Sequence, residues 1–215
     1  MTGCCGPRGI DEVFTTRYAS RSARKLRSSG LDDTATRMVE VLVSGGLEGA
    51  SVLEIGGGVG GLYTELLRRG ADKATNVELS SSYETEAARM LQETGLDGRV
   101  DRFLVNIVNE PEKIEPADVV VLHRVVCCYP DFSGLLGAAA DHARRVLIFS
   151  YPRPRALTRA GTLFENIGYA LRRQDFRAFV HSPDAMVEVL ADHGLDVTAA
   201  GRNSTWQYTG AVRRA

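Results

Sequence analysis

Val52-Leu53-Glu54-Ile55-Gly56-Gly57-Gly58-Val59-Gly60-Gly61 sets a carboxylate near the end of a short apolar run and follows it with five glycines in six positions. A loop so poor in side chains lets backbone N–H groups approach a ligand closely, and a helix opening behind it adds a partial positive charge. An adenosine-containing cofactor is expected over this turn.

Outward from it, short apolar runs alternate with helical stretches, which is the signature of a parallel sheet covered on both faces. Strands are predicted over 51–55, 74–78, 100–105, 117–122 and 146–151, with helices over 60–69, 81–94 and 132–144. Upstream, 11–27 reads as a basic amphipathic helix carrying Val13, Tyr18 and Leu26. A second helix, capped by Asp32 or Asp33, carries Met38, Val39, Leu42 and Val43 up to Gly45-Gly46. Downstream, 153–177 is an arginine-rich, partly helical insertion, and Ser182-Pro183 opens a helix running to His193. Two last strands, 195–201 and 205–212, are joined by the polar turn Arg202-Asn203-Ser204. With no repeat or long linker, one compact domain is expected.

The chain has 215 residues, 44% of them hydrophobic, enough for a real core. A formal charge of -1 and 7% aromatics offer nothing to a polyanion, so no nucleic-acid partner is expected. The apolar runs are too short to span a bilayer and the start carries no signal-like stretch, so a cytoplasmic protein with no membrane partner is expected. Four cysteines form two adjacent pairs, Cys4-Cys5 and Cys127-Cys128, neither with CxxC spacing.

The glycines alone leave the cofactor open: Gly56, Gly58 and Gly61 satisfy the dinucleotide GxGxxG, while Glu54, Gly56, Gly58 and Gly60 satisfy the ExGxGxG of methyltransferases. Glu54 decides between them. A carboxylate at the strand end repels a diphosphate but suits a ligand with an amino group and a sulfonium, so S-adenosylmethionine is preferred to NAD. Glu78 closes the second strand and, followed by Leu79, is placed to hold the ribose hydroxyls. Asn106-Ile107, after the third strand, suits the adenine, an amide for its amino group and an aliphatic cover for its ring.

The residues Glu54 to Gly60 with Gly57 among them, Glu78, and the stretch 117–131 together resemble the class I S-adenosylmethionine-dependent methyltransferases of small molecules. The resemblance implies an α/β, Rossmann-like doubly wound sheet of seven strands in the order 3-2-1-4-5-7-6, the last antiparallel. It also implies a helical lid over 1–50 and a cofactor-binding domain over 51–215. In that lid, Arg17 and Tyr18 are candidate contacts for the cofactor carboxylate. The tail around 163–182 resembles, more loosely, the magnesium-protoporphyrin O-methyltransferases.

Ligands of such sheets sit beyond the carboxyl ends of the strands, so His123-Arg124-Val125-Val126-Cys127-Cys128-Tyr129 faces the methyl group. In the small-molecule O-methyltransferases a general-base histidine stands where this chain has Cys127. His123, Cys127, Tyr129 and His181 are the candidate catalytic residues, with His123 also a cofactor contact. Arg124, Cys128, Tyr151 and Arg153 are candidates for the methyl acceptor, S-adenosylhomocysteine being the other product. The two cysteine pairs are a weak candidate for a soft metal; otherwise Cys127 and Cys128 are small apolar fillers. The expected activity is methyl transfer to a small molecule, at oxygen first, with nitrogen, sulfur or carbon acceptors open. A nicotinamide-dependent reductase and a non-catalytic metal- or ligand-binding protein of the same fold are the alternatives.

Overall fold

The computed structural model describes residues 6–214. Helices α1 (Ile10–Val13), α2 (Thr16–Ser29) and α3 (Asp33–Ser44) come first. The strands are β1 (Ser51–Ile55), β2 (Lys73–Glu78), β3 (Val100–Leu104), β4 (Ala117–Leu122), β5 (Ala143–Pro152), β6 (Leu195–Arg202) and β7 (Trp206–Arg213). Between them run α4 (Gly61–Arg68), α5 (Glu84–Thr94), α6 (Phe132–His142), α7 (Ala156–Leu171) and α8 (Pro183–Asp192). The sheet order is β3-β2-β1-β4-β5-β7-β6, with β7 antiparallel to both neighbours, as expected from the sequence.

Alternation along the central strands decides which helices cover which face. Val52, Val119 and Val121 pack with Met38, Leu42, Leu62 and Leu66, so α3 and α4 close one side. Leu53, Val120 and Leu122 pack with Leu135, Leu136, Met186 and Leu190, so α6 and α8 close the other. Leu53 is wholly buried in this second layer, and truncating it to alanine would cost about 2–5 kcal/mol. Because α3 shares the sheet's core, only α1 and α2 of the first three helices stand apart from it.

The chain leaves β1 toward β2 on one side, while β4 pairs with β1 on the other. Strand order reverses there, and a crevice opens beyond the carboxyl ends of β1 and β4.

Among the elements that differ from their predicted limits, two have a clear cause. The predicted helix over 11–27 is split at Phe14, because the Thr15 hydroxyl accepts the Tyr18 N–H and starts α2 afresh. Phe14 is thereby turned against Tyr18 and Phe176, with ring centroids 5.3 and 5.5 Å away. β5 starts at Ala143, earlier than predicted, since His142 ends α6 with its ring against the carbonyls of Pro111 and Ile114. Arg144 and Arg145 then continue the strand with their side chains in solvent.

Candidate functional site

The glycine turn spends its own donors. Gly56 N–H reaches Val77 O at 2.7 Å, Gly57 reaches Asn76 Oδ1 at 3.1 Å, Gly58 reaches Glu78 Oε2 at 2.9 Å and Gly60 reaches Gly57 O at 2.9 Å. Two of these acceptors are side chains of β2, so the turn is moulded onto the neighbouring strand. Gly57 is held so close that any side chain there would run into Asn76 Oδ1 and the Glu54 carboxyl. The expected row of free N–H groups is therefore replaced by carbonyl and carboxylate oxygens.

Glu54 lies behind this turn, 3% exposed, and does not line the cavity in front of it. Its Oε2 accepts the N–H of Tyr63, in the first turn of α4, at 2.8 Å, so a strand residue caps the helix. Burial pushes its carboxyl up to about 7, against the pull of that N–H and of Arg102. Direct contact with the cofactor's cationic end, expected from sequence, does not fit this position: the carboxylate lies beneath the loop, outside the cavity.

Glu78 does reach the cavity. Besides Gly58, its carboxylate accepts the N–H groups of Leu79 at 2.8 Å and Ser80 at 3.2 Å, while burial raises its pKa against them. Arg102 of β3 completes the frame: its guanidinium donates to Gly58 O at 3.1 Å and to Tyr63 Oη at 2.9 Å, and pairs with Glu84 at 2.6 Å.

In front of the turn is a cavity of about 250 Å³. Gly56, Gly57 and Gly58 form its floor, Glu78, Leu79 and Tyr83 one wall, and Asn106, Ile107 and Tyr129 the other. Ile10, Phe14 and Tyr18 close it from above; Arg17 and Gly60 do not line it. Asn106 Oδ1 accepts both the Val108 N–H and the Tyr129 hydroxyl, each at 3.1 Å. Its NH₂ is what remains for a ligand, so Asn106 offers a donor rather than the acceptor that the adenine amino group named from sequence would need.

At the end of β4, His123 lines the cavity with both ring nitrogens engaged, Nε2 with Asp32 Oδ2 at 3.0 Å and Nδ1 with Ser150 Oγ at 2.9 Å. Arg124 takes a left-handed conformation, φ 60°, its N–H held by Ser150 Oγ. Arg124 lines the cavity, while its guanidinium is turned toward β7, 4.7 Å from the Trp206 ring centroid and 3.0 Å from Asp32.

Cys127 is buried outside the cavity, its Sγ 3.8 Å from that of Cys128. Hydrogen bonding to Cys127, and then burial, holds the Cys128 thiol protonated, well above its ordinary range. Cys128 lines the main cavity and also a second of about 150 Å³, bounded by Gly6, Pro7, Arg8, Pro130, Asp175, Arg177 and Phe179.

Three further candidates also fall outside both cavities, and each has another task. His181 places Nε2 3.0 Å from Tyr129 O and stacks on Phe179, clamping the 126–129 turn. Tyr151 shares a hydrogen bond with Thr209 across β5 and β7. Arg153 donates to Asn203 O and pins the last hairpin. Among the described residues no group of three or more His, Cys, Asp or Glu side chains is placed to hold a metal ion; Cys4 and Cys5 lie outside the described residues.

Sequence reasoning passed over Tyr83, Arg102 and the bond from Asp32 to His123. Tyr83 packs over Gly58, and its only sequence signal was an aromatic just after the strand-ending Glu78. Arg102, a lone cation inside a short strand, was the clearer one.

A family model described as a methyltransferase domain matches residues 22–200. Magnesium protoporphyrin IX methyltransferase from Synechocystis PCC 6803, solved with bound S-adenosylhomocysteine, superposes with a TM-score of 0.76 at 23% identity, over 95% of this chain and 98% of that one. An O-methyltransferase family protein from Burkholderia thailandensis gives 0.67 at 19%, over 92% and 61%. A TehB-like S-adenosylmethionine-dependent methyltransferase from Corynebacterium glutamicum gives 0.64 at 13%, over 93% and 98%. No curated protein matches the chain.

Proposed function

The chain belongs to the methyltransferase-domain family, and from that premise we propose that it binds S-adenosylmethionine in the larger cavity and methylates an oxygen of a small molecule in the adjoining one. The observation that carries the cofactor is the spent loop. With the N–H groups of Gly56, Gly57, Gly58 and Gly60 already bonded, the floor has no row of donors for a diphosphate, while the Glu78 carboxylate faces the cavity. A ligand with ribose hydroxyls and a cationic amino-acid end meets those acceptors; the ribose of a dinucleotide would as well, but its diphosphate finds no row of donors.

S-adenosylmethionine supplies a methyl group already activated on a sulfonium. The chain's part is to hold the acceptor in line with it, keep out water, and lift a proton only if the acceptor carries one. Three of the candidate proton carriers are already engaged: both nitrogens of His123 are hydrogen-bonded, His181 faces Tyr129 O, and the Tyr129 hydroxyl is bonded to Asn106, which leaves the Asp175 carboxylate as the acid bordering the second cavity. An acceptor oxygen already ionised at neutral pH, a carboxylate, fits such a site, and Arg8 and Arg177 beside the second cavity suit its charge.

Calorimetric titration with S-adenosylhomocysteine and with NADH tests the cofactor. Micromolar binding of the former and none of the latter is expected. Tight binding of NADH alone would overturn the proposal.

A further inference from the structure

Helix α7 has its amphipathicity reversed. Thr158, Thr162, Asn166 and Tyr169 form its half-buried side, tied down by two hydrogen bonds between the Asn166 amide and the backbone of Ala178 and by the edge of Tyr169 on Phe176. The opposite side carries Leu157, Phe164, Ile167 and Leu171, spaced by seven, three and four residues, so they form one stripe on a 3.6-residue helix. Leu157 is 84%, Phe164 72% and Leu171 81% exposed, and Leu163 flanks them at 60%. A helix that packs only on its core shows the reverse pattern. Such a face suits an apolar partner.

Charge identifies it. Although the whole chain carries a formal -1, residues 153–177 hold six arginines against two acids, and residues 8–29 hold six basic residues against two acids. The two segments touch: Gln174 and Asp175 bond to Glu12, and Phe14 meets Phe176. Along the helix axis the apolar stripe is thus bracketed by exposed arginines, Arg155 and Arg159 at its first turn and Arg172 and Arg173 just past its end, within the basic part of the molecule. A second copy of the chain is a poor occupant, because antiparallel pairing of α7 with itself sets Arg155 and Arg159 opposite Arg172 and Arg173 of that copy. A partner with an apolar layer under a negative surface satisfies both features.

We propose that the outward face of α7 is a peripheral docking surface for an anionic lipid bilayer, with Leu157, Phe164 and Leu171 entering the boundary between headgroups and acyl chains and the flanking arginines lying against lipid phosphates. Among the described residues no helix is long and apolar enough to cross a membrane. The absence of a membrane partner expected from sequence rested on that spanning length, which a helix lying in the interface does not need. Asn166 anchors α7 to Ala178, between the Arg177 and Phe179 that border the second cavity, so docking brings the acceptor side toward the lipid. An amphiphilic acceptor follows, and this last step alone rests on the methyl-transfer reading.

The test is flotation of the full chain, without cofactor, on vesicles of phosphatidylcholine alone and with about 30% phosphatidylglycerol. Wild type should float with the anionic vesicles and not with the neutral ones. Phe164→Glu with Leu171→Glu should lower the bound fraction about tenfold, and Arg155→Gln with Arg159→Gln and Arg172→Gln should remove the anionic preference. These side chains are exposed, so an unchanged thermal melt and unchanged S-adenosylhomocysteine affinity certify the fold. No flotation of wild type, flotation indifferent to the variants, or a dimer that Phe164→Glu splits without any vesicle binding would each overturn the proposal. Since no cofactor is present, failure here leaves the methyl-transfer reading standing, and absence of cofactor binding would leave the docking result standing.

Discussion

Asp32 Oδ2 lies 3.0 Å from His123 Nε2, joining the start of α3 to the end of β4 at the cavity wall. The same carboxylate caps α3 through Oδ1, which accepts the N–H groups of Thr34 and Ala35 at 3.0 and 3.1 Å, and it pairs with Arg124 at 3.0 Å. Burial alone would raise its pKa, but the hydrogen bond and charge of His123, the Ala35 N–H and Arg124 outweigh it and hold the carboxyl well below the usual range.

Asp32→Ala removes cap and partner together, and should cost about 2–3 kcal/mol in urea unfolding at neutral pH. The folded pKa is depressed, so the stability this group provides is present above its unfolded value of 3.8 and is lost as pH falls through the folded value. The gap between wild type and Asp32→Asn should therefore narrow steadily below about pH 4. A constant gap would show that the charge of Asp32 contributes nothing.

Glu54 carries the opposite sign. Its carboxyl is raised from 4.5 to about 7, so its favourable contribution is complete below pH 4.5 and lost as pH rises through about 7. Glu54→Gln keeps an acceptor for the Tyr63 N–H and cannot ionise; its stability relative to wild type should rise by about 3 kcal/mol between about pH 5 and about pH 8. A cationic ligand end settling on the loop above would draw the pKa down again. Binding of S-adenosylhomocysteine near pH 7 should then release a proton in wild type and none in Glu54→Gln, read by calorimetry in buffers of different ionisation enthalpy.

Gly57 is fixed by contact rather than by backbone angle, and a methyl group there must displace Asn76 Oδ1 or the Glu54 carboxyl. Gly57→Ala should cost about 1–3 kcal/mol. Asn76 is wholly buried with its Nδ2 unpartnered, so Asn76→Ala gives up one hydrogen bond and opens the needed space. The double variant should lose less than the two single losses added together in a thermal-melt cycle. Strict additivity would mean that the two positions do not meet.

The strand pattern, the glycine turn and Glu78 were legible because each is local: alternation, a run without side chains, an acid at a strand end. Asp32 shows where legibility ends. Its capping role followed from its place before an apolar helix, but its bond to His123, 91 residues away, depends on how α3 packs across β4 and β5. For Glu54 the place at the strand end was readable, yet its depth behind the loop was not, since the chain gives no sign of which side of a turn a strand-end carboxylate takes. His181, Tyr151 and Arg153 looked functional by chemical type and are spent on a carbonyl, a threonine and a hairpin. Residue type names what a side chain can do; only its neighbours decide whether it is free to do it.

Glu78 is the residue on which loop shape and ligand recognition meet, and its loss should register in both. Glu78→Ala deletes the acceptor for the Gly58, Leu79 and Ser80 N–H groups, leaving donors beside a mostly apolar cavity and lowering the melting temperature. It also removes the carboxylate that faces the ribose in the proposed complex. Charge-assisted hydrogen bonds of that kind place the affinity loss for S-adenosylhomocysteine at about 1.5–3 kcal/mol. Arg102→Met separates the two effects. It frees Gly58 O and breaks the pair with Glu84 while leaving Glu78 in place, so it should lower the melting temperature with a smaller loss of affinity. Equal affinity losses in the two variants would make Glu78 a support of the loop alone, and unchanged affinity in Glu78→Ala would take the ribose out of its reach.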